Sequence, residues 1–359
     1  MAELPKVTVV TPVFNGARFL AEAIESVVSQ TYPNWTYIIA DNCSTDETPA
    51  IAERFAARDR RIRVIRTTPH LPLIQNWNRA LSLVPPDTVF TKELHADDIL
   101  MPNCLAEMVA LLEEFPTAAI AGSYILYGTQ IKHLGVPLGC RLLSGHDVIR
   151  RTLLGDWYLF GSPSSIMVRT KFAREIGRPF YDERLRHADV DACYQLLDRH
   201  DFGFVHQVLS ATRTHPDSIT NTFTVSYSTI ALEHFCFLKK YGPRYFDEGT
   251  FRREYRIARR QYRRQFARRL LGGGGAPYWR FHRDHLSHFG YRLEATDAVM
   301  GALAEIGLSI IDTRHAAGSI RRIARLILGE ARLQSERWSS NSVASRSSDD
   351  DAFPLDLRQ

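Results

Sequence analysis

Apolar positions in the first half of the chain follow two alternating patterns. Short, largely β-branched or apolar runs read as strands: Val7-Thr8-Val9-Val10-Thr11, Tyr37-Ile38-Ile39-Ala40, Ile62-Arg63-Val64-Ile65, Thr88-Val89-Phe90-Thr91 and Ala118-Ala119-Ile120-Ala121. Runs with no polar face are expected of strands covered on both sides, as in a parallel sheet. Between them, Phe19, Leu20, Ala23, Ile24, Val27 and Val28 recur at helical spacing, as do Leu105, Met108, Leu111 and Leu112. Asn76–Leu81 adds a shorter helix. Tyr32-Pro33 stops the first helical pattern. The next helix is predicted to open either on a Ser44/Glu47 capping box or on Thr48-Pro49 as cap and first position. This alternation predicts an α/β fold with a doubly wound, mainly parallel sheet.

After residue 160 the pattern loosens. Gly161-Ser162-Pro163-Ser164-Ser165 is a turn feeding a strand through Val168, and His187–Asp191 leads a helix through Leu196 and Leu197. Phe202–Val205 and Leu209–Arg213 are predicted as two further strands. From about Ser226 helical spacing takes over. Arg252–Arg269 holds nine arginines and one glutamate, with Tyr255, Ala258, Tyr262, Phe266 and Leu270 on one face. Gly272–Gly275 is a breaker. Further helical stretches lie at Leu293–Ile306 and Ile320–Leu333. The tail from Ser339 is serine-rich, then acidic, and reads as disordered. The expected division is 1–225 for an α/β domain, 226–338 for a C-terminal helical region, and 339–359 for the tail.

Composition acts mainly by exclusion. In 359 residues, 45% hydrophobic and 24% charged content is ordinary for a soluble globular protein, and the net charge of +5 is mild. Cys43, Cys104, Cys140, Cys193 and Cys236 form no C-x-x-C pair, which argues against a zinc site and fits a reducing cytoplasm. Met1–Lys6 lacks the apolar core of a signal peptide, and no apolar run reaches membrane-spanning length. The expected location is therefore cytoplasmic. The Arg252–Arg269 helix offers a peripheral contact with an anionic membrane, or else packs on the catalytic domain with its arginines solvated. No G-x-G-x-x-G follows the first strand and no G-x-x-x-x-G-K-[ST] occurs, which excludes the common dinucleotide and P-loop readings. The basic helix matches no nucleic-acid docking motif, so no nucleic-acid partner is expected.

Parallel sheets bind ligands at the carboxyl ends of their strands. Three polar clusters sit at such predicted ends: Thr11–Asn15, Asp41–Asp46 and His95–Asp98. Adjacent carboxylates at Asp97 and Asp98 raise each other's pKa. A hard cation such as Mg²⁺ or Mn²⁺ relieves that cost, with phosphates completing its shell. Taken alone, the pair is equally a solvated turn near the helix opened by Pro102. Convergence of all three clusters on one edge favours a site.

The motifs Thr11-Pro12-Val13-Phe14-Asn15, Gln30-Thr31-Tyr32-Pro33, Asp41-Asn42-Cys43-Ser44-Thr45-Asp46 and Asp97-Asp98 with Pro102 resemble glycosyltransferase family 2, with the Rossmann-like GT-A fold. The resemblance continues through Gly161-Ser162-Pro163-Ser164, Tyr181-Asp182-Glu183, Ala188-Asp189 and Arg213-Thr214-His215, covering roughly residues 6 to 220. It implies inverting transfer of a sugar from a nucleotide-sugar to an acceptor hydroxyl, in polysaccharide or glycoconjugate assembly. It implies nucleotide-sugar contacts from Thr11, Pro12, Phe14 and Asn15, with Thr11 and Phe14 lining the base pocket and Asp41 and Asn42 at the base edge. Asp97 would reach the ribose or sugar, Asp98 the metal, and Arg213 and His215 the diphosphate or metal, His215 being the second candidate metal ligand. Asp189 would be the catalytic base. The implied cofactor is Mn²⁺ or Mg²⁺. The implied donor is a UDP-sugar, with dTDP- and GDP-sugars as alternatives, and the acceptor a saccharide or lipid-linked molecule.

Two departures from the family pattern stand out: Asn42 replaces a carboxylate, and Ala188 replaces the glutamate before the base. Asn42 is also a candidate left-handed turn residue. Asp191, two positions from Asp189 on a helix, faces elsewhere and is left to cap, pair with an arginine or sit in solvent. Trp77 and Trp157 are expected in the core or a cleft wall. The alternative of another class is a catalytically silent nucleotide-sugar-binding module.

Overall fold

The computed structural model describes residues 3–176, 179–216, 218, 220–270, 272 and 275–309. The expected helix at 320–333 and the tail from 339 lie outside the described residues. The first elements alternate as the apolar pattern predicts: β1 (Val7–Val13), α1 (Ala17–Val28), β2 (Trp35–Asp41), α2 (Thr48–Ala56), β3 (Ile62–Arg66), α3 (Leu73–Ser82) and β4 (Phe90–Glu93). Then come β5 (Asp98–Leu100), α4 (Cys104–Glu114), β6 (Ala118–Tyr127), β7 (Gln130–Lys132), β8 (Leu142–Leu143), α5 (Gly145–Leu154), β9 (Ile166–Arg169), α6 (Thr170–Arg174), α7 (Ala188–Leu197) and β10 (Asp201–Thr212). They build one ten-stranded sheet in the order β3-β2-β1-β4-β9-β6-β10-β5, with β7 on β6 and β8 on β10.

The long strands β1, β2, β3, β4, β6 and β10 run in one direction, and β9 is inserted antiparallel between β4 and β6. Both faces of β1 are covered. Val7, Val9 and Val13 join a core with Leu20 and Ile24 of α1 and Met108 and Leu112 of α4, whereas Val10 and Ile38 pack with Ala80 of α3. This two-sided burial is why β1 has no solvent-facing polar side, Thr8 and Thr11 being buried as well.

Three local expectations change. The two strands anticipated at Phe202–Val205 and Leu209–Arg213 are a single strand, β10, whose register against β6 slips between Val205 and Val208 and again before Ser210. A bulge interrupts the apolar alternation without ending the strand. Helix α2 starts at Thr48 with Pro49 in its first turn, and neither Ser44 nor Thr48 caps it through its side chain. Asp46 accepts instead from the Thr48 N–H at 3.0 Å. Lastly, Asp97-Asp98 does not end a parallel strand. β4 stops at Glu93, and Asp98 opens β5, which runs antiparallel to β10.

The remaining α-helices among the described residues are α8 (Thr229–Tyr245), α9 (Glu248–Arg269), α10 (Gly275–His288) and α11 (Ala295–Ser309). The described residues divide into two compact units, those up to 222 with 237–251, and 223–236 with those from 252 to 309. The second half of α8, from Phe237, groups with the sheet unit. In the second unit the α9 stripe is internal. Tyr262 stacks on Phe235 at 5.4 Å between ring centres, Phe266 on Tyr278 at 5.4 Å, and both are buried. The aromatic face of α9 is therefore buried within its own unit and is not available to lipid. No described helix is long and apolar enough to cross a membrane.

Candidate active site

The turn after β4 carries the densest chemistry. Gly16 lets the start of α1 approach it: a Cβ there would lie 2.7 Å from Val13 Cγ2 and 3.3 Å from Ala96 Cβ. Lys92, fully buried, donates to the carbonyls of Ser164 at 2.6 Å and Ile166 at 3.0 Å, tying β4 to the turn before β9. His95 Nε2 meets Glu93 Oε1 at 3.1 Å, and the Tyr181 hydroxyl donates to Glu93 Oε2 at 2.9 Å. Burial opposes charge on His95, but Glu93, Asp98 and Asp97 outweigh it and lift the imidazole to about 9. Trp77 stands 4.9 Å from the His95 ring and 5.5 Å from that of Tyr181. Trp157, by contrast, is buried.

Asp98 is 2% exposed. Its Oδ2 accepts from Ser162 Oγ at 3.4 Å, while Oδ1 is buried and completes no hydrogen bond among the described residues. Burial pushes its carboxyl up to about 6, and Asp97 adds to the effect. The neighbouring carboxylate is therefore the smaller cause, against the expectation from adjacency. His95, Asp97 and Asp98 each bring a ligand atom within 4.8 Å of the others. A buried carboxylate oxygen without a partner is costly until a proton or cation satisfies it, so these three residues fit a divalent cation. His215, expected as the second ligand, contacts Asp97 Oδ2 through Nε2 at 3.2 Å, and His95 completes the three-residue group.

At the ends of β1 and β2 the polar residues mostly bind one another. Thr11 is fully buried, donating to the Leu94 carbonyl at 2.6 Å and pairing with the Tyr37 hydroxyl at 2.8 Å. It stitches the sheet rather than lining a pocket, and Pro12 is buried beside it. Phe14 and Asn15 emerge toward the surface, Phe14 meeting His70 edge-on at 4.4 Å. Asn15, at φ 49°, turns the chain into α1 and accepts from the Thr45 N–H at 2.9 Å. Asp41 is buried and accepts from Arg66 Nε at 3.0 Å. Asn42 donates to the Leu71 carbonyl and accepts from the Leu71 N–H, both at 2.8 Å. Its amide is thus committed to the loop before α3. The left-handed residue next to it is Cys43, at φ 66°, not Asn42.

Basic groups gather on α1 and the end of β10. The guanidinium groups of Arg18 and Arg213 lie 4.8 Å and 5.0 Å from the Phe19 ring centre, and the His215 ring lies 4.9 Å from it. Arg213, expected at a diphosphate, is held by Glu22, its Nη2 donating to Oε2 at 2.5 Å.

Helix α7 separates its two acidic residues. Asp189 is half-buried in the first turn, where burial raises its pKa against the opposing pull of His187 and His95. Desolvation therefore outweighs the backbone N–H groups and cationic neighbours that favour its charged form. Its charge pushes the Tyr158 and Tyr181 hydroxyls up and His95 pulls its own carboxyl down, so it lies within electrostatic reach of the His95 group. Asp191 is fully buried, accepting from Lys240 Nζ at 2.5 Å, the Tyr241 hydroxyl at 2.7 Å and Gln195 Nε2 at 2.7 Å. It therefore does not sit in solvent, the third of the alternatives left open for it.

The sequence profile described as Glycosyl transferase family 2 matches residues 8–177, the span from β1 through β9 that carries the metal-fitting group. Residues 8–177 thus carry a glycosyltransferase family 2 domain. Two provisionally named glycosyltransferases of Bacillus subtilis are similar to it. EpsE is 37% identical over 123 residues, 34% of this chain and 44% of EpsE. TuaG, named for teichuronic acid biosynthesis, is 39% identical over 155 residues, 42% of this chain and 60% of TuaG. The matches span less than two thirds of either relative's length. Among solved structures, Staphylococcus aureus TarS 1–349 in complex with UDP-GlcNAc aligns at TM-score 0.51 with 14% identity, covering 82% of this chain and 95% of that one. The mannosyltransferase PcManGT from Pyrobaculum calidifontis, in complex with GDP-Man and Mn²⁺, aligns at 0.52 with 14% identity, covering 91% and 87%. The fold is that of the GT-A glycosyltransferases.

Of the residues expected at the site, His215 contacts Asp97 of the metal-fitting group, and Arg213 and His215 both lie against the Phe19 ring. Four neighbours were not singled out from sequence: Arg18, Glu93, His95 and Tyr181. His95 lies inside the motif stretch and was within reach of inspection. Tyr181 opens one of the motifs but had no role of its own, because its bond to Glu93 spans 88 residues.

Proposed function

We propose that this family 2 enzyme is a metal-assisted, inverting glycosyltransferase that moves a sugar from a nucleoside-diphosphate sugar to an acceptor hydroxyl. The observation that carries the reading is the orphaned Asp98 Oδ1 beside His95 and Asp97, with Asp189 within electrostatic reach of His95. His95, Asp97 and Asp98 would hold Mn²⁺ or Mg²⁺, which when bound would neutralise charge developing on the diphosphate leaving group. Asp189 takes the proton of the attacking hydroxyl. Its raised pKa strengthens it as a base near neutrality. Glu93, braced by Tyr181, orients the His95 ring. Phe14 and His70 supply an aromatic edge for the nucleobase, while Asp41 and Asn42 hold the surrounding loops.

The nucleotide-sugars bound by TarS and PcManGT support that donor class, and a UDP-sugar is the first to test, then GDP- and dTDP-sugars. The teichuronic acid name of TuaG supports a role in polysaccharide or glycoconjugate assembly, with a saccharide or lipid-linked acceptor. The proposed location is cytoplasmic, with peripheral contact at an anionic membrane through the exposed arginines of α9.

The deciding experiment incubates purified protein with a panel of nucleotide-sugars, with Mn²⁺ or with chelator, and measures nucleoside diphosphate release. Release should require metal and collapse in Asp98→Ala while metal-free nucleoside binding persists. Full activity in excess chelator refutes the metal role. Nucleotide-sugar binding with no turnover under any condition supports the silent binding module instead.

A further inference from the structure

We propose that Glu22 is a resident competitor for the diphosphate, occupying Arg213 until nucleotide arrives and so setting donor affinity. The inference rests on the proposed function, because it takes the cation cluster around Phe19 as the diphosphate site. Phe19 and Glu22 are three residues apart on α1 and share a face. Arg213, the first residue after β10, lies over that face, with its guanidinium over the Phe19 ring and its Nη2 donating to Glu22 Oε2. Arg18 and His215 approach the same ring, and His215 touches Asp97 of the metal-fitting group.

A guanidinium offers the same donor fork to a carboxylate as to a phosphate. Glu22 therefore uses the contact a diphosphate oxygen would need. Arg213 Nε is buried and makes no hydrogen bond among the described residues, so the Glu22 contact leaves part of the fork unused. The two partners differ in how firmly they are held. Arg213 is 24% exposed and stacked, whereas Glu22 is 56% exposed. Glu22 can turn into water while Arg213 stays in place. Arg213 also holds the Glu22 carboxyl below its usual range, so Glu22 is an anion at neutral pH and repels incoming phosphate as well as competing with it.

Calorimetric titration of UDP, GDP and dTDP, with Mn²⁺ present, into wild type, Glu22→Gln, Arg213→Gln and the double variant tests the idea. Because an exposed ion pair competes weakly, Glu22→Gln should bind its preferred nucleotide about two- to fivefold tighter, with less gain at high salt. In the Arg213→Gln background the same change should give no gain. Unchanged or weaker binding by Glu22→Gln, with or without a lower melting temperature, overturns the proposal. So does a gain that persists without Arg213. Nucleotide binding by wild type with no such gain defeats only the Glu22 role. If wild type binds none of the three nucleotides, the functional reading falls and this inference with it.

Discussion

Asp98 lies among the Ser162 hydroxyl, the His95 ring and the Asp97 carboxylate, and its titration is open to a direct test. Its folded pKa of about 6 stands above its ordinary 3.8, first because burial penalises the charge. A carboxyl raised in this way favours folding fully below its unfolded pKa and loses that contribution as pH rises through the folded value. Metal-free protein should lose up to about 3 kcal/mol from this group between roughly pH 4 and 6. Thermal melts in chelator, comparing wild type with Asp98→Asn, should show the decline only in wild type. Added Mn²⁺ should restore wild type above pH 6 and do little below pH 5. Parallel curves for the two proteins would show that Asp98 is not the group responsible. Asn42 is the opposite case, a polar residue whose identity is explained by a partner. An amide can donate to and accept from the Leu71 backbone at once, whereas a carboxylate at 42 would face the Leu71 carbonyl with no proton to offer.

Helix α7 shows how one element distributes two carboxylates. Positions two apart on a helix point about 200° apart, so Asp189 and Asp191 cannot share a task. Asp191 is buried with Lys240, Tyr241 and Gln195, and replacing it strains this knot. Asp191→Asn should cost about 1–3 kcal/mol of stability, the worth of a charge-assisted hydrogen bond, and leave turnover per folded molecule near wild type. Asp189→Asn should leave the melting temperature and donor affinity little changed and lower turnover about 10²–10⁴-fold, the usual loss of a general base. Chemical denaturation and initial-rate kinetics on both variants decide the matter, and reversed effects would move the base to Asp191.

For the whole molecule, a net charge of +5 understates how unevenly charge is placed. On α9, Arg253, Arg256, Arg260, Arg264 and Arg268 recur at spacings of three and four residues, opposite the buried Tyr262 and Phe266. Such a row meets a flat anionic surface electrostatically, without inserting an apolar face. Co-sedimentation with anionic but not neutral vesicles is expected at low salt, reversed at high salt and weakened by glutamine at Arg253, Arg256 and Arg260. No sedimentation at low salt would retire the membrane contact.

Chain-local spacing already determined the alternation of strands and helices, the helical character of the second unit, and the clusters at residues 11–15, 41–46 and 95–98. Periods of two and 3.6 residues are properties of near neighbours, and turn chemistry is equally local. Tertiary structure alone decided that β9 enters antiparallel, that β10 continues through a bulge, and that Asp191 is held by a lysine 49 residues away. It also decided that Arg213 meets Glu22 across 191 residues and that the α9 stripe turns inward. Each of these depends on which distant groups compete for one buried carboxylate, ring or backbone amide, and periodicity does not encode that competition.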